Sequence, residues 1–291
     1  MIFMSLWSAS FLAFLLASLS FQAGVQKQAG QAEMNQFKGH WALVSGVNLA
    51  FKAIAEDPEP YRDSPQDTWY GPLALAGSWK ERLSIHIEDE DSKLNLNLAN
   101  EKLLREFFEG LKKESGIRFE KDAKAMAKAL TAWRNQKKNK RFDFLEELLL
   151  IEEITKEDFE QFESFATVST EDTVFPAVNI NTVSEAVLKT VMASAPGDEF
   201  RKRELLQKIL LARKDAISPE ELEPRIFMER LQLAPSAEMT GLVSQLMPYF
   251  KTDSATFRLE VRAIPENKKA GAIIRAAGPM IQPVILFWHE E

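Results

Sequence analysis

The residues whose types and spacing could do chemistry are four consecutive carboxylates, Glu88, Asp89, Glu90 and Asp91. Clustered oxygen ligands suit a hard cation, which makes these four the chain's calcium candidates. Adjacent residues of an extended segment point to opposite faces, and the spacing fits no EF-hand loop. The competing expectation is a solvated acidic turn. Three histidines, His40, His86 and His289, lie far apart in the sequence, and a zinc site would need all of them to converge. With no cysteine there is neither a disulfide framework nor a thiolate site. No nucleophile elbow, phosphate loop or HExxH helix is present. The expectation is a non-enzymatic chain with no catalytic residue and, calcium aside, no cofactor.

Charge limits the partners further. The formal net charge of the 291 residues is −7, which disfavours broad attraction to nucleic acid or anionic headgroups. One basic run, Arg134 to Arg141, carries five positive charges in eight residues. It reads either as a partner patch or as a solvated loop between helices, the latter being the expectation.

The elements around these groups change character along the chain. From Met1 to Gln26 no residue is charged, and roughly 20 apolar residues can cross a bilayer core as a helix. Polar helix formers follow, and then apolar residues recur at Trp41, Val44, Val47, Leu49 and Ala50, before Asp57-Pro58 breaks the pattern. One long helix is expected, half in lipid and half against a soluble domain. Leu83 to Glu88 alternates at period two, as does Leu94 to Leu98, and the acidic group between them suggests a hairpin. Residues 100–250 turn helical. Thr155 with Asp158, Thr182 with Glu185 and Ser218 with Glu221 each offer a helix-start cap. From Thr256 the period returns to two, and three closing strands are expected, the last ending near Trp288. A sheet that begins at residue 83 and resumes at 256 implies an inserted helical block.

Several motifs in this order resemble one family. Ile87-Glu88-Asp89-Glu90-Asp91-Ser92-Lys93-Leu94-Asn95-Leu96-Asn97 is similar to the I-x-D-E-x-G-K-I-N-L-N element of the type II secretion minor pseudopilin K family, with Ser92 in place of glycine. Trp133-Arg134 matches the family's W-R step. Phe142 to Leu148, Thr167-Val168 and Val178-Asn179-Ile180-Asn181-Thr182 resemble its F-x-x-x-E-E-L, T-V and I-N-V-N-T-A segments, with Val183 in place of alanine. The ending through Leu286-Phe287-Trp288 resembles the family's closing strand.

The resemblance implies an α+β chain: a pilin-like long N-terminal helix and small antiparallel sheet, with a large all-α, SAM-like insertion. The spine would cover residues 1–56, membrane-spanning over 1–23; the pilin-like domain 57–99 and 251–291; and the insertion 100–250, its second subdomain beginning near 178. Phe3, Trp7, Phe11, Phe14 and Leu15 would make assembly contacts, and Glu90, Lys93, Asn95, Asn97, Asn179, Asn181 and Thr182 would be structural motif residues. The glycine and upstream basic residues of the family's processing signal are not seen before the apolar run, so cleavage by a prepilin peptidase is implied by the resemblance alone. The family's usual N-terminal glutamate is also missing, as is typical of K subunits. Implied partners are subunits I and J, the major pseudopilin and membrane lipid, with no nucleic acid. The implied role is capping the pseudopilus tip and helping start its assembly, from a single-pass position in the bacterial inner membrane with the soluble part in the periplasm. The rival expectation is a membrane-tethered helix-hairpin-helix DNA binder, because Asn-x-Asn-Thr also opens such modules. Here the hairpin would fall at Ser194 to Glu199, where Asp198 and Glu199 repel phosphate.

Overall fold

The computed structural model describes residues 2–114, 116–136, 141–169, 175–276 and 283–290. Lys137, Lys138 and Lys140 of the basic run lie outside them. Helix α1 runs unbroken from Ile2 to Ala55, about 80 Å at 1.5 Å per residue. Its early serines bond back to their own helix, Ser5 to Ile2 O and Ser8 to Met4 O, both at 2.8 Å. This is how a polar side chain is tolerated in an apolar helix.

Among the described residues, only the C-terminal half of α1 is buried against the rest of the chain. Gly39, Leu43, Gly46, Val47, Ala50 and Ile54 form its buried stripe. Val47 and Ala50 of the expected periodicity are buried, but Trp41 is exposed and Val44 half-buried, with Gly39, Leu43 and Gly46 taking the inner face at that level. The reason is steric: a Cβ on Gly46 would run into the Val261 side chain, and one on Gly39 would come within 2.5 Å of Lys268. Glycine lets helix and sheet approach this closely, and no apolar periodicity registers a residue without a side chain.

The sheet beneath α1 is antiparallel, in the order β1 (Gly71–Pro72), β2 (Leu83–Asp89), β7 (Thr256–Ala263), β8 (Lys268–Arg275), β9 (Val284–Glu290). On β7 the residues Phe257, Leu259, Val261 and Ala263 face the core, as their alternation requires. Ile85, Ile87, Trp69 and Ile274 join them, and Trp69 meets Phe257 edge to face at 5.0 Å.

Between β2 and β7 lies the helical block. β3 (Leu94–Asn95) leads to α2 (Glu101–Glu114), α3 (Ala123–Gln136), α4 (Lys156–Phe162) and β4 (Ala166–Thr167). β5 (Val178–Asn179) leads to α5 (Glu185–Ser194), α6 (Glu199–Ala212), α7 (Pro224–Arg230), α8 (Ala237–Leu246) and β6 (Phe250–Lys251). Each short opening strand pairs in parallel with the strand that closes its own unit, β3 with β4 and β5 with β6. The expected hairpin is therefore corrected. β2 pairs with β1 and β7, whereas β3 turns away into the helical block. Period-two alternation identifies a strand, but pairing is decided by distant partners. The two units share one apolar core, with Phe107, Phe108 and Phe162 stacked edge to face at its centre.

Candidate functional site

Two features stand out: a bare apolar half-helix and a buried polar junction where sheet and helical block meet. Phe3, Trp7, Phe11, Phe14 and Leu15 all lie on the bare half, with Phe3 90% and Trp7 77% exposed. Trp7 and Phe11 stack one turn apart at 6.3 Å. The helix is long and apolar enough to cross a membrane, and the most apolar stretch of it is nowhere covered by the chain's own described residues. Lower down, Glu290 at the end of β9 bonds His40 Nδ1 at 2.9 Å and Lys268 Nζ at 2.8 Å, tying α1 to the sheet. Those two contacts hold the Glu290 carboxyl below its usual range.

The four-carboxylate group is not a solvated turn. Glu88 remains part exposed, but Asp89, Glu90 and Asp91 are buried. Glu90 Oε1 accepts from Lys93 Nζ at 2.5 Å and Arg258 Nε at 2.6 Å. Burial pushes Glu90 up, yet the two cations outweigh it and hold its carboxyl below the ordinary value. Asp91 Oδ2 accepts from Lys251 Nζ at 2.8 Å and from the N–H groups of Ala255 and Thr256. Asp89 accepts the Asp91 N–H, the Asn179 carboxamide at 3.1 Å and the Thr182 hydroxyl. Its carboxyl is pushed to about 7, first by burial and then by the charge of Asp91. The oxygens that suggested calcium are thus bonded largely to the chain's own donors. Lys93 is three residues from Glu90, but the other partners lie on or next to β5, β6 and β7, 90 residues away or more, so the sequence around the acids carried no sign of those.

Thr182 is likewise not a helix cap. Its hydroxyl faces Asp89, and Ser184 caps α5 by accepting the Val187 N–H. Thr155 does cap α4, and at Ser218 the Glu221 carboxylate accepts the Ser218 N–H at 2.8 Å while the Glu221 N–H bonds the Ser218 carbonyl. The asparagines do more than bond local backbone. Asn95 and Asn179 each accept the N–H two residues on, at 3.0 Å, and then reach outward. Asn95 donates to Ser169 O, while Asn179 donates to Asp63 O, Asp89 and Ser254 Oγ. Asn97 is bonded to Phe142 and Val168, and Asn181 to Ile217.

The W-R step supports this scaffold. Arg134 donates to the carbonyls of Leu96 and Asn97 at 2.7 and 2.9 Å, and Trp133 stacks on Phe142 at 4.3 Å. Arg134 therefore belongs to the packed junction and not to a solvated loop. At the start of α6, Asp198 accepts the N–H groups of Phe200 and Arg201. A carboxylate occupies the donors that a helix-hairpin-helix module would offer to phosphate.

A carboxylate trio that the sequence did not single out also forms: Asp57, Asp63 and Asp67 bring ligand oxygens within 4.8 Å of one another. Such a set could hold a hard cation. Burial, with Asp89, Asp57 and Asp67 nearby, pushes Asp63 to about 9 despite its bond from the Ser254 N–H, so with the trio empty it is protonated at neutral pH.

No protein-family model matches the chain, and no curated protein is similar to it in sequence. A solved structure is similar in fold: a chain of the crystal structure of the GspK-GspI-GspJ complex from the enterotoxigenic Escherichia coli type 2 secretion system. It superposes with a TM-score of 0.60 at 16% identity, over 93% of this chain and 99% of that one. The two chains share a fold, a long helix on a small antiparallel sheet with an all-α block set between strands.

Proposed function

We propose that this chain is a non-enzymatic structural subunit of a type II secretion pseudopilus, occupying the K position at the fibre tip and helping to start assembly for protein export. One observation carries the reading: α1 is bare and apolar from Ile2 through Val25 and sheet-bound from Gly39 to Ile54. Such a helix can sit in lipid before assembly and against neighbouring helices after it. In this reading the partners are minor pseudopilins I and J, named in the complex whose fold this chain shares, with the major pseudopilin below them. The helical block, with two SAM-like subdomains, is the cap. The anchor is single-pass in the inner membrane, with the soluble part in the periplasm.

Co-purification of the tagged full chain with I and J homologues, together with loss of secretion on deletion of its gene, is the expected result. Salt-dependent binding to duplex DNA, weakened by neutralising Lys137, Lys138, Lys140 and Arg141, with no pseudopilin recovered, would instead favour the DNA-binding reading.

A further inference from the structure

The lysines of α3 stand where folding gains nothing from them. α1, α2, α4, α5, α6 and α7 each carry a cation paired with an acid three or four residues away, as Arg105 is with Glu109, Lys156 with Glu160 and Arg225 with Glu229. α3 is the exception. Ala123 to Gln136 contains no acid, and Lys124 and Lys128 are exposed one turn apart with no ion pair among the described residues. Like charges at this spacing repel. Lys124 also lies in the first turn, where the helix dipole is positive and an acid is the stabilising choice. A helix that works against its own stability in this way marks a place kept for function.

More cations gather at the same end. The last turn of α2 carries Lys112 and Lys113, the connection to α3 adds Arg118 and Lys121, and all four are exposed and unpaired among the described residues. α2 and α3 pack on each other, so the six form one ridge at their turn. Glu114, Glu120 and Asp122 are the acids of this stretch, three against six cations. The excess needs an anionic counterpart, and the anchoring bilayer does not supply it. α1 passes Lys268 at Gly39 and Val261 at Gly46, so it runs toward the end of the sheet, at Asp89 and Thr256, where the helical block is joined. About 45 Å of helix separates Val25 from Ile54. Nucleic acid also fits poorly. Apart from Arg118 the ridge is lysine, a hydrated point charge without the planar fork that suits phosphate. The aromatic ring among these residues, Phe119, packs inward on Phe108 and Phe162 and offers no platform to a base.

We propose that the cationic ridge of α2 and α3 docks an acidic face of a partner protein, at the end of the molecule remote from the lipid span. The inference rests on the assembly reading in one respect, that α1 is the anchor. The test titrates the full chain in detergent micelles, at low salt, with a peptide of three Glu-Ala-Ala-Glu repeats while the NMR amide signals of Ala125 and Lys128 are followed. Saturable shifts are expected, with a dissociation constant of about 1 mM and loss of binding at about 0.3 M salt. The peptide with glutamine in place of every glutamate should bind about tenfold more weakly. Lys124→Glu should weaken the acidic peptide about tenfold and yet raise the melting temperature by about 2 °C, because it supplies the missing acid at the helix start and a partner for Lys128. Lys128→Gln is the milder second variant, with a loss of about threefold. Lys52→Gln, at a lysine already paired with Glu56, should leave binding unchanged.

Equal affinity for the two peptides, no shift at all, or undiminished binding by Lys124→Glu would overturn the docking ridge. A lower melting temperature in Lys124→Glu would overturn it too, because the lysine would then serve the fold. A short DNA duplex that binds at about 0.15 M salt, where the peptide does not, would assign the ridge to nucleic acid and overturn the protein partner. A chain that co-purifies with pseudopilins but fails the titration loses only this inference, and the converse result removes only the assembly reading.

Discussion

Asn97 and Asn181 occupy equivalent places in the two helical units: each carboxamide accepts one distant backbone N–H at 2.7 Å and donates to the carbonyl of the same residue at 2.9 Å, Phe142 for Asn97 and Ile217 for Asn181. A side chain here completes a two-bond bridge of the kind a strand neighbour would make. Loss of either amide strands a buried N–H and a buried C=O. Asn97→Ala and Asn181→Ala should each destabilise by about 2–4 kcal/mol, whereas Asn100→Ala, which removes a helix cap at α2, should cost about 1 kcal/mol. Urea unfolding of the three variants checks the order.

Gly46 sets the distance between α1 and the sheet. Alanine there gains about 1 kcal/mol of helix propensity but must displace the Val261 side chain, an overpacking cost of roughly 1–3 kcal/mol. The expected outcome is a net loss of stability. Combining Gly46→Ala with Val261→Ala relieves the overlap, so the double variant should lose less than the sum of the singles, which a double-mutant cycle measures.

Two buried acids set the pH response. Asp63 is raised from 3.8 to about 9 and Asp89 to about 7 in the folded chain. Both therefore bind protons more tightly folded than unfolded, so their stabilising contribution is full below about pH 4 and is lost as pH rises toward 9. Asp63→Asn keeps an acceptor for the Ser254 N–H without the titrating proton. It should flatten the fall in stability across that window, by an amount on the order of a few kcal/mol at pH 8. Thermal melts from pH 5 to 9 read it, and an unchanged slope in the variant would refute the assignment.

Glu90 is held between Lys93 and Arg258 with no exposure of its own. Arg258→Leu removes one of two counter-charges and should cost about 3 kcal/mol or more. Replacing all three, Glu90→Leu, Lys93→Met and Arg258→Leu, removes the buried charges together and should recover most of that loss. Chemical denaturation of the single and triple variants distinguishes the outcomes.

Phe14 lies on the bare half of α1. Phe14→Lys places a charge in the span at a cost of about 3 kcal/mol. The membrane-bound fraction of the variant, measured by flotation, should fall while the circular dichroism of its soluble half stays unchanged.

The sequence by itself determined the elements that local pattern encodes. An uncharged run followed by helical spacing gave α1, alternation gave the buried faces of β2 and β7, and Thr155 and Ser218 gave their helix starts. What only the tertiary structure decided was which elements meet. β2 bypasses β3 to pair with β7. Asp89 turns inward to Asn179 and Thr182, and Gly46 on α1 lies under Val261. The physical reason is common to all three. A strand's period and a cap's spacing are written within a few residues, whereas the partner that neutralises a buried carboxylate or fills the space above a glycine stands far along the chain. A carboxylate run looks the same in sequence whether water or the distant Lys251 and Arg258 surround it.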